Sequence, residues 1–135
     1  MRLWHKDLIE VLPRQQLLGQ WRECCAIAKN LKEKGTPNHI LVNLITEYPL
    51  DHFVWYQFLV WKEMKMRGYS PDDTKFYKWI PDEKFHAIED DELFKDWHNT
   101  RYLRQCLMNL EEKHDRGGIP EDEWERILCK YPYMK

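Results

Sequence analysis

Along most of the chain, hydrophobic residues recur at the spacing of a helix, with polar residues between them. Between Arg14 and Lys32, apolar side chains recur at intervals of three and four residues, which indicates the buried face of an amphipathic helix. The residues on this face are Leu17, Leu18, Trp21, Cys25, Ala28 and Leu31. Residues 1–12 lack this helical period, and we predict that they form an extended segment, which we call the lead. Pro13 suits the first turn of the helix that follows.

Turn-forming residues divide the rest of the chain into further helices. A helix is predicted from a Thr36 cap to about Glu47. The segment LDHFVWYQFLVWKEMKM has little polar surface before Lys62 and predicts a central helix. Helices are also predicted over residues 96–114 and 120–130, whereas residues 74–95 are irregular. No segment alternates as a strand would, so we expect an all-α fold, one compact domain of about five helices over residues 1–135.

Charge is distributed unevenly along the chain. Residues 1–68 hold ten Lys and Arg against seven Asp and Glu, whereas residues 69–135 hold eleven against sixteen. A basic first half can face phosphate while the acidic half faces away, although two ordinary solvated surfaces would give the same count. The seven Trp, seven Tyr and five Phe are numerous for this length and fit either a packed core or an aromatic binding surface.

Several classes of protein are disfavoured by the sequence. There is no apolar run long enough to span a membrane and no signal-peptide core, so a cytoplasmic location is expected. The four cysteines include no CxxC pair, which favours reduced thiols. Glycine-rich phosphate loops, HExxH and GxSxG are absent, and no two of the six histidines are four residues apart. We therefore expect no metal site and no cofactor.

The first predicted helix carries the most informative charged residues. Arg14, Gln15, Arg22 and Lys29 share a polar side next to the apolar face, and Glu23 lies at the boundary between the two. A surface Arg–Glu pair of little energetic weight is one interpretation of this pattern. A functional carboxylate flanked by cations is the other.

The stretch MRLWHKDLIEVLPRQQLLGQWRE resembles the opening of the phage-type pyrimidine-dimer DNA glycosylases, also called dimer-excising endonuclease V. That family has a helix with the pattern Leu-x-x-Gln-His-Leu-x-x-x-aromatic-Arg-Glu. The matching residues are Leu12, Gln15, Leu17, Trp21, Arg22 and Glu23. The family's basic-Arg-Gly-aromatic helix end is similar to MRGY at residues 66–69, and its aromatic, lysine-bearing tail is similar to KYPY at residues 130–133.

The resemblance implies catalysis by the N-terminal α-amine. Residue 2 is Arg, before which methionine is normally kept, so the nucleophile would be the amine of Met1. A free α-amine has a pKa of about 7.7–8.0, so part of it is neutral near neutral pH. It would attack C1′ of the damaged nucleotide and form a Schiff base, after which β-elimination cleaves the strand. The resemblance assigns the acid/base role to Glu23.

The resemblance also implies binding to double-stranded DNA that carries a lesion. It assigns phosphate contacts to Arg2 and Arg22, while Gln16 replaces a family histidine and Ala26 replaces a family arginine. The candidate DNA-binding residues are Arg2, Arg14, Gln16, Arg22, Lys29 and Lys130. We expect a monomer that is associated with the nucleoid when it is bound to DNA.

Two other functions fit the same sequence. One is a lyase that acts on abasic sites or another lesion without dimer specificity. The other is a non-catalytic helical module that binds nucleic acid or protein, which the aromatic content and the acidic second half would suit. For the enzyme, we expect the Met1 nitrogen within several ångströms of the Glu23 carboxylate, in a groove bordered by Arg2 and Arg22.

Overall fold

A computed structural model describes residues 2–34, 40–72, 74–75, 78–80 and 82–134. Their regular structure includes five α-helices and three short 3₁₀ helices. The α-helices are α1 (Arg14–Lys34), α2 (Ile40–Thr46), α3 (Leu50–Met66), α4 (Thr100–Asp115) and α5 (Glu121–Lys130). The 3₁₀ helices are Lys6–Val11, Asp82–Lys84 and Pro132–Met134. None of the described residues lies in a strand, so the prediction of an all-α fold is confirmed.

The lead is only partly extended. Residues 2–5 have no regular structure, but Lys6–Val11 forms a 3₁₀ helix, so the prediction of an extended segment is wrong there. The reason is a local cap, because Nδ1 of His5 accepts a hydrogen bond from the Asp7 amide at 3.1 Å. A side chain that pairs with a free amide at a helix start stabilises that start.

The fourth helix begins later than its sequence pattern predicts. Asn99 caps α4, since its side-chain oxygen accepts a hydrogen bond from the Tyr102 amide at 2.9 Å. The residues just before it form a turn in which Phe94 has a φ of 48°, a left-handed conformation that interrupts a helix.

The predicted helix start at Thr36 lies outside the described residues.

Helix α3 is central, as the sequence predicts. It packs against α1, α2 and the 3₁₀ helices Lys6–Val11 and Asp82–Lys84. Phe53, Tyr56 and Val60 are fully buried along it. They pack in one core with α1, where Leu17 is fully buried and Cys24, rather than the predicted Cys25, is the fully buried cysteine. Burial of these side chains supplies the main hydrophobic stabilisation of the helix pair.

Arg67 joins the end of α3 to the lead. Its Nε donates to a Glu63 carboxylate oxygen at 2.8 Å, and one terminal nitrogen donates to the Leu12 carbonyl at 2.8 Å. The other terminal nitrogen donates to the Glu10 carbonyl at 3.2 Å. These carbonyls lie at the end of the 3₁₀ helix Lys6–Val11, where backbone acceptors lack helical partners. The Glu10 carbonyl also accepts from Arg126 at 3.1 Å. The arginine of the MRGY motif therefore fixes where the lead meets α1.

Candidate functional site

The first residues of the lead lie against α1 at Glu23. The backbone amide of Arg2 donates a hydrogen bond to Oε2 of Glu23 at 3.4 Å, and the Glu23 side chain is half-buried. This contact places a carboxylate at the peptide bond that follows residue 1. Met1 is outside the described residues, so its expected distance from the Glu23 carboxylate stays a prediction.

Gln20 binds the lead one helical turn before Glu23. Its Oε1 accepts a hydrogen bond from the Trp4 amide at 2.7 Å, and its Nε2 donates to the Arg2 carbonyl at 3.1 Å. The side chain is 1% exposed. Because both ends of the amide are used, its orientation is determined.

Two tyrosines from other helices donate hydrogen bonds to the backbone carbonyls of Leu3 and Trp4. The hydroxyl of Tyr56 in α3 donates to the Trp4 carbonyl at 2.5 Å, and that of Tyr102 in α4 donates to the Leu3 carbonyl at 2.6 Å. Burial raises the pKa of both hydroxyls above its ordinary range. Both therefore stay protonated and act as donors throughout the physiological pH range.

The Arg2 side chain is held on the protein beside this segment. Its guanidinium lies 5.4 Å from the centroid of the Trp4 ring, and Nη1 lies 3.7 Å from the Cys106 sulfur of α4. The side chain is half-buried. Arg2 therefore carries a positive charge next to the Glu23 region in a restricted position.

Arg22 has different neighbours from Glu23. Arg22 is exposed, and its guanidinium lies near Gly19. A Cβ atom at position 19 would be 3.9 Å from Nη2 of Arg22. It lines a cavity of about 440 Å³ with Trp21 and Met64. Adjacent helix positions differ by about 100°, which explains why Arg22 and Glu23 face different neighbours.

Three further cations lie in the cavity with Arg22 or beside Trp79. Lys75 lines the same cavity, and Lys29 and Lys78 lie 5.9 and 4.8 Å from the ring centroid of Trp79. We call these four residues, Arg22, Lys29, Lys75 and Lys78, the basic strip. All four are exposed. The strip is suited to a polyanion because its charges are solvent-accessible and lie beside an aromatic ring.

Asp72 adds a negative charge to the lining of the cavity. Hydrogen bonds from Thr74 lower the pKa of the Asp72 carboxyl, so it stays ionised. Its carboxylate accepts from both the hydroxyl and the amide of Thr74, at 2.6 and 3.1 Å. A bound phosphate would therefore contact the strip away from this carboxylate.

The remaining predicted DNA-binding residues lie in other surroundings. Gln16 is half-buried, and its Oε1 has no hydrogen-bond partner within the part of the chain that the structure describes. The Arg14 guanidinium lies 5.8 Å from the Tyr69 ring centroid. Lys130 is bonded to the Glu10 carboxylate and to the Asp7 carbonyl. Lys130 therefore already has anionic and polar partners on the lead.

The sequence pattern did not reveal Gln20, Tyr56 or Tyr102 as site residues. Gln20 carried one usable signal, since it is polar yet lies on the helix face between Leu17 and Cys24. A buried polar side chain needs hydrogen-bond partners. Which partners it finds depends on the tertiary fold, because they lie 16 residues away or further.

The described ranges hold neither a candidate metal cluster nor a candidate membrane span. No group of three or more His, Cys, Asp and Glu side chains there could hold a metal ion. None of the helices in that part of the chain has the length and apolar character needed to cross a bilayer. The four cysteines are free, with Cys24 and Cys106 buried, Cys25 half-buried and Cys129 exposed.

Comparison with protein families identifies the class of protein. A family model described as pyrimidine dimer DNA glycosylase matches residues 1–77, which places the chain among DNA glycosylases. Because the match covers more than half of the 135 residues, the chain belongs to the pyrimidine dimer DNA glycosylase family. The resemblance inferred from the sequence is thus confirmed, and DNA is the substrate that the family implies. Searches of curated proteins and of solved structures find no match.

Proposed function

We propose that this protein excises pyrimidine dimers and then cleaves the strand at the abasic site, with the α-amine of Met1 as nucleophile and Glu23 as acid/base. The observation that carries the proposal is the hydrogen bond from the Arg2 amide to the Glu23 carboxylate. Three covalent bonds separate that amide nitrogen from the α-amino nitrogen of residue 1. A carboxylate bound to the amide is therefore within reach of a proton on that amine.

Formation of the covalent imine and strand cleavage need only groups that the chain and the DNA supply, and water then hydrolyses the imine to release the enzyme. The amine lone pair forms a bond to C1′ as the glycosidic bond breaks, and the base leaves with the electron pair and takes up a proton. Opening of the sugar ring gives an imine between C1′ and the amine. The imine acidifies C2′, a base removes that proton, and the bond to the 3′ phosphate oxygen breaks. In this scheme Glu23 moves protons to and from the amine and the sugar.

DNA would be held through its phosphates by the basic strip. Arg22 and Lys29, which the sequence singled out, join Lys75 and Lys78 in that strip. Arg2 adds a charge on the Glu23 side. Phosphate contacts of this kind position a duplex without reading its sequence, which suits an enzyme that must find rare lesions. We propose that the protein works as one helical domain over residues 1–135, as a monomer, on DNA in the cytoplasm.

Borohydride trapping tests the proposal. The full chain is incubated with duplexes that carry either one cyclobutane dimer or one abasic site, and the reduced adduct is digested and mapped by mass spectrometry. We expect an adduct on residue 1 with both duplexes, and none after the N-terminus is acetylated. An adduct on a lysine, or trapping that survives acetylation, would reject the role of Met1.

The two duplexes also separate the alternative functions. Adduct formation with the abasic duplex alone would identify a lyase without dimer specificity. Binding to both duplexes without any adduct would identify a non-catalytic DNA-binding module. Mass spectrometry of the intact protein, run beside the assay, shows whether residue 1 carries a free amine.

A further inference from the structure

Residues 2–4 are bound in an unusual way. Their three consecutive carbonyls each accept a hydrogen bond from a side chain of a different helix. Gln20 of α1 binds the Arg2 carbonyl, Tyr102 of α4 binds that of Leu3, and Tyr56 of α3 binds that of Trp4. Most buried backbone groups in proteins pair with other backbone groups, so three successive side-chain partners require an explanation.

We propose that Gln20, Tyr56 and Tyr102 are positioning residues, which hold residues 2–4 so that the α-amine of residue 1 is presented beside the Glu23 carboxylate. The inference rests on the proposed function, because it assigns these residues to the delivery of that amine. The three side chains do not touch the substrate in this scheme. They act through the backbone of the lead.

The geometry supports delivery of the amine to a defined place. Gln20 and Glu23 are three residues apart on α1, so the anchor of the lead and the proposed acid/base belong to the same rigid element. Gln20 contacts the lead through both ends of its amide, which restrains sliding of the segment along the helix. Chain termini are usually poorly ordered, and a nucleophile at a terminus needs such restraint.

Burial makes the restraint independent of pH in the working range. Tyr56 is fully buried and Tyr102 is half-buried, and burial raises the pKa of both hydroxyls. Neither can lose its donor proton near neutral pH. The Tyr56 oxygen also lies 3.1 Å from Oε1 of Gln20, so two of the three anchors are in contact with each other.

Catalysis is far more sensitive to the placement of the lead than stability is. A displacement of about 1 Å in a reacting group can lower a rate by roughly a hundredfold. The same hydrogen bonds could exist only to satisfy buried carbonyls. In that case their loss would lower stability and leave the chemistry of the folded protein unchanged.

The test compares three variants of the full chain with a matched control. Gln20→Met, Tyr56→Phe and Tyr102→Phe each remove a side-chain partner of the lead. Tyr48→Phe is the control, because its hydroxyl instead accepts hydrogen bonds from the amides of Asp96 and Trp97, at 3.1 Å each. Two quantities are measured well below the melting temperature. They are the single-turnover rate of borohydride trapping on an abasic duplex and the affinity for a duplex with a tetrahydrofuran abasic analogue, which cannot form a Schiff base.

We expect trapping to slow by about tenfold to a hundredfold in the three variants, with affinity for the analogue unchanged and the adduct still on residue 1. The control should trap within about twofold of the wild type. Wild-type trapping rates in the folded variants would overturn the inference. If Gln20→Met does not fold, Tyr102→Phe decides the question, since its hydroxyl is only half-buried.

Failure of the inference and failure of the proposed function give different results. If the wild-type adduct maps to a residue other than residue 1, the proposed function fails and the positioning role fails with it. If the adduct maps to residue 1 and the variants trap as fast as the wild type, only the positioning role is rejected.

Discussion

The Glu23 carboxylate accepts a hydrogen bond of 3.4 Å from the backbone amide of Arg2, across 21 residues of sequence. The bond fastens the start of the chain to the middle of α1. In the proposed mechanism Glu23 has two tasks, because it holds the lead and exchanges protons with the α-amine of residue 1. Variants that keep one task and remove the other can separate them.

Glu23→Gln should remove catalysis and keep the fold. The amide oxygen of the variant can still accept from the Arg2 amide, but the side chain can no longer take up a proton. We expect single-turnover excision to fall by about 10²- to 10⁴-fold, with melting temperature and DNA affinity little changed. Glu33→Gln, at an exposed position of the same helix, is the control. Normal turnover by the Glu23 variant would remove Glu23 from the mechanism.

Arg22→Ala should change the salt dependence of DNA binding. When a cation that binds one phosphate is removed, the plot of the logarithm of the DNA-binding constant against the logarithm of the salt concentration becomes less steep by about 1. Lys130→Ala serves as the comparison, because Lys130 is bonded to the Glu10 carboxylate and the Asp7 carbonyl. We expect the slope to change for Arg22 and to stay the same for Lys130. Fluorescence anisotropy over a salt series measures both, and a wild-type slope for Arg22→Ala would contradict the assignment of Arg22 to the basic strip.

Arg67→Met should destabilise the fold strongly. The Arg67 and Glu63 side chains are only 11% and 13% exposed, and the substitution removes the donor to the Glu63 carboxylate and to the Leu12 carbonyl. Removing one partner of a buried pair typically costs about 3 kcal/mol or more. Urea denaturation measures the change in the free energy of unfolding.

Arg116→Met is the matched control for Arg67. Arg116 also pairs with a glutamate four residues earlier, at 2.8 Å, but it is 78% exposed. Exposed pairs of this spacing contribute about 0.5 kcal/mol or less. Similar decreases in stability in the two variants would show that the hydrogen bonds from Arg67 to the lead add nothing.

His98 should make the protein less stable in acid. It is 4% exposed, and its Nδ1 accepts a hydrogen bond from the Lys6 amide at 3.0 Å. Burial, together with the nearby His5 and Lys6, lowers the pKa of His98 from 6.5 to about 2. The unfolded chain therefore binds a proton at His98 that the folded chain excludes. Stability is fully present above pH 6.5 and is lost as the pH falls below it.

His98→Asn tests this pH dependence, because the asparagine oxygen can still accept from the Lys6 amide and does not titrate. The wild-type melting temperature should fall more steeply than that of the variant between neutral pH and about pH 4. His86→Asn, on an exposed loop, is the control and should keep the wild-type slope. A variant at His98 with the wild-type slope would exclude this histidine as the cause.

The sequence alone determined the features that depend on local spacing. The period of apolar residues predicted α1 and the central α3, because a helix buries every third or fourth side chain whatever it packs against. The residue pattern from Leu12 to Glu23 also carried the resemblance to the family, which the match over residues 1–77 confirms. Arg22 and Lys29 were expected on a polar helix side, and both are exposed.

Only the tertiary structure decided which side chains meet. Trp4 binds Gln20 over 16 residues and Tyr56 over 52, and Leu3 binds Tyr102 over 99. It also showed that Lys130, a DNA-binding candidate from sequence, is bonded to the lead. A hydrogen bond depends on distances of a few tenths of an ångström between groups on separate helices. Those distances follow from how the helices pack, which the spacing of residues along the chain does not encode.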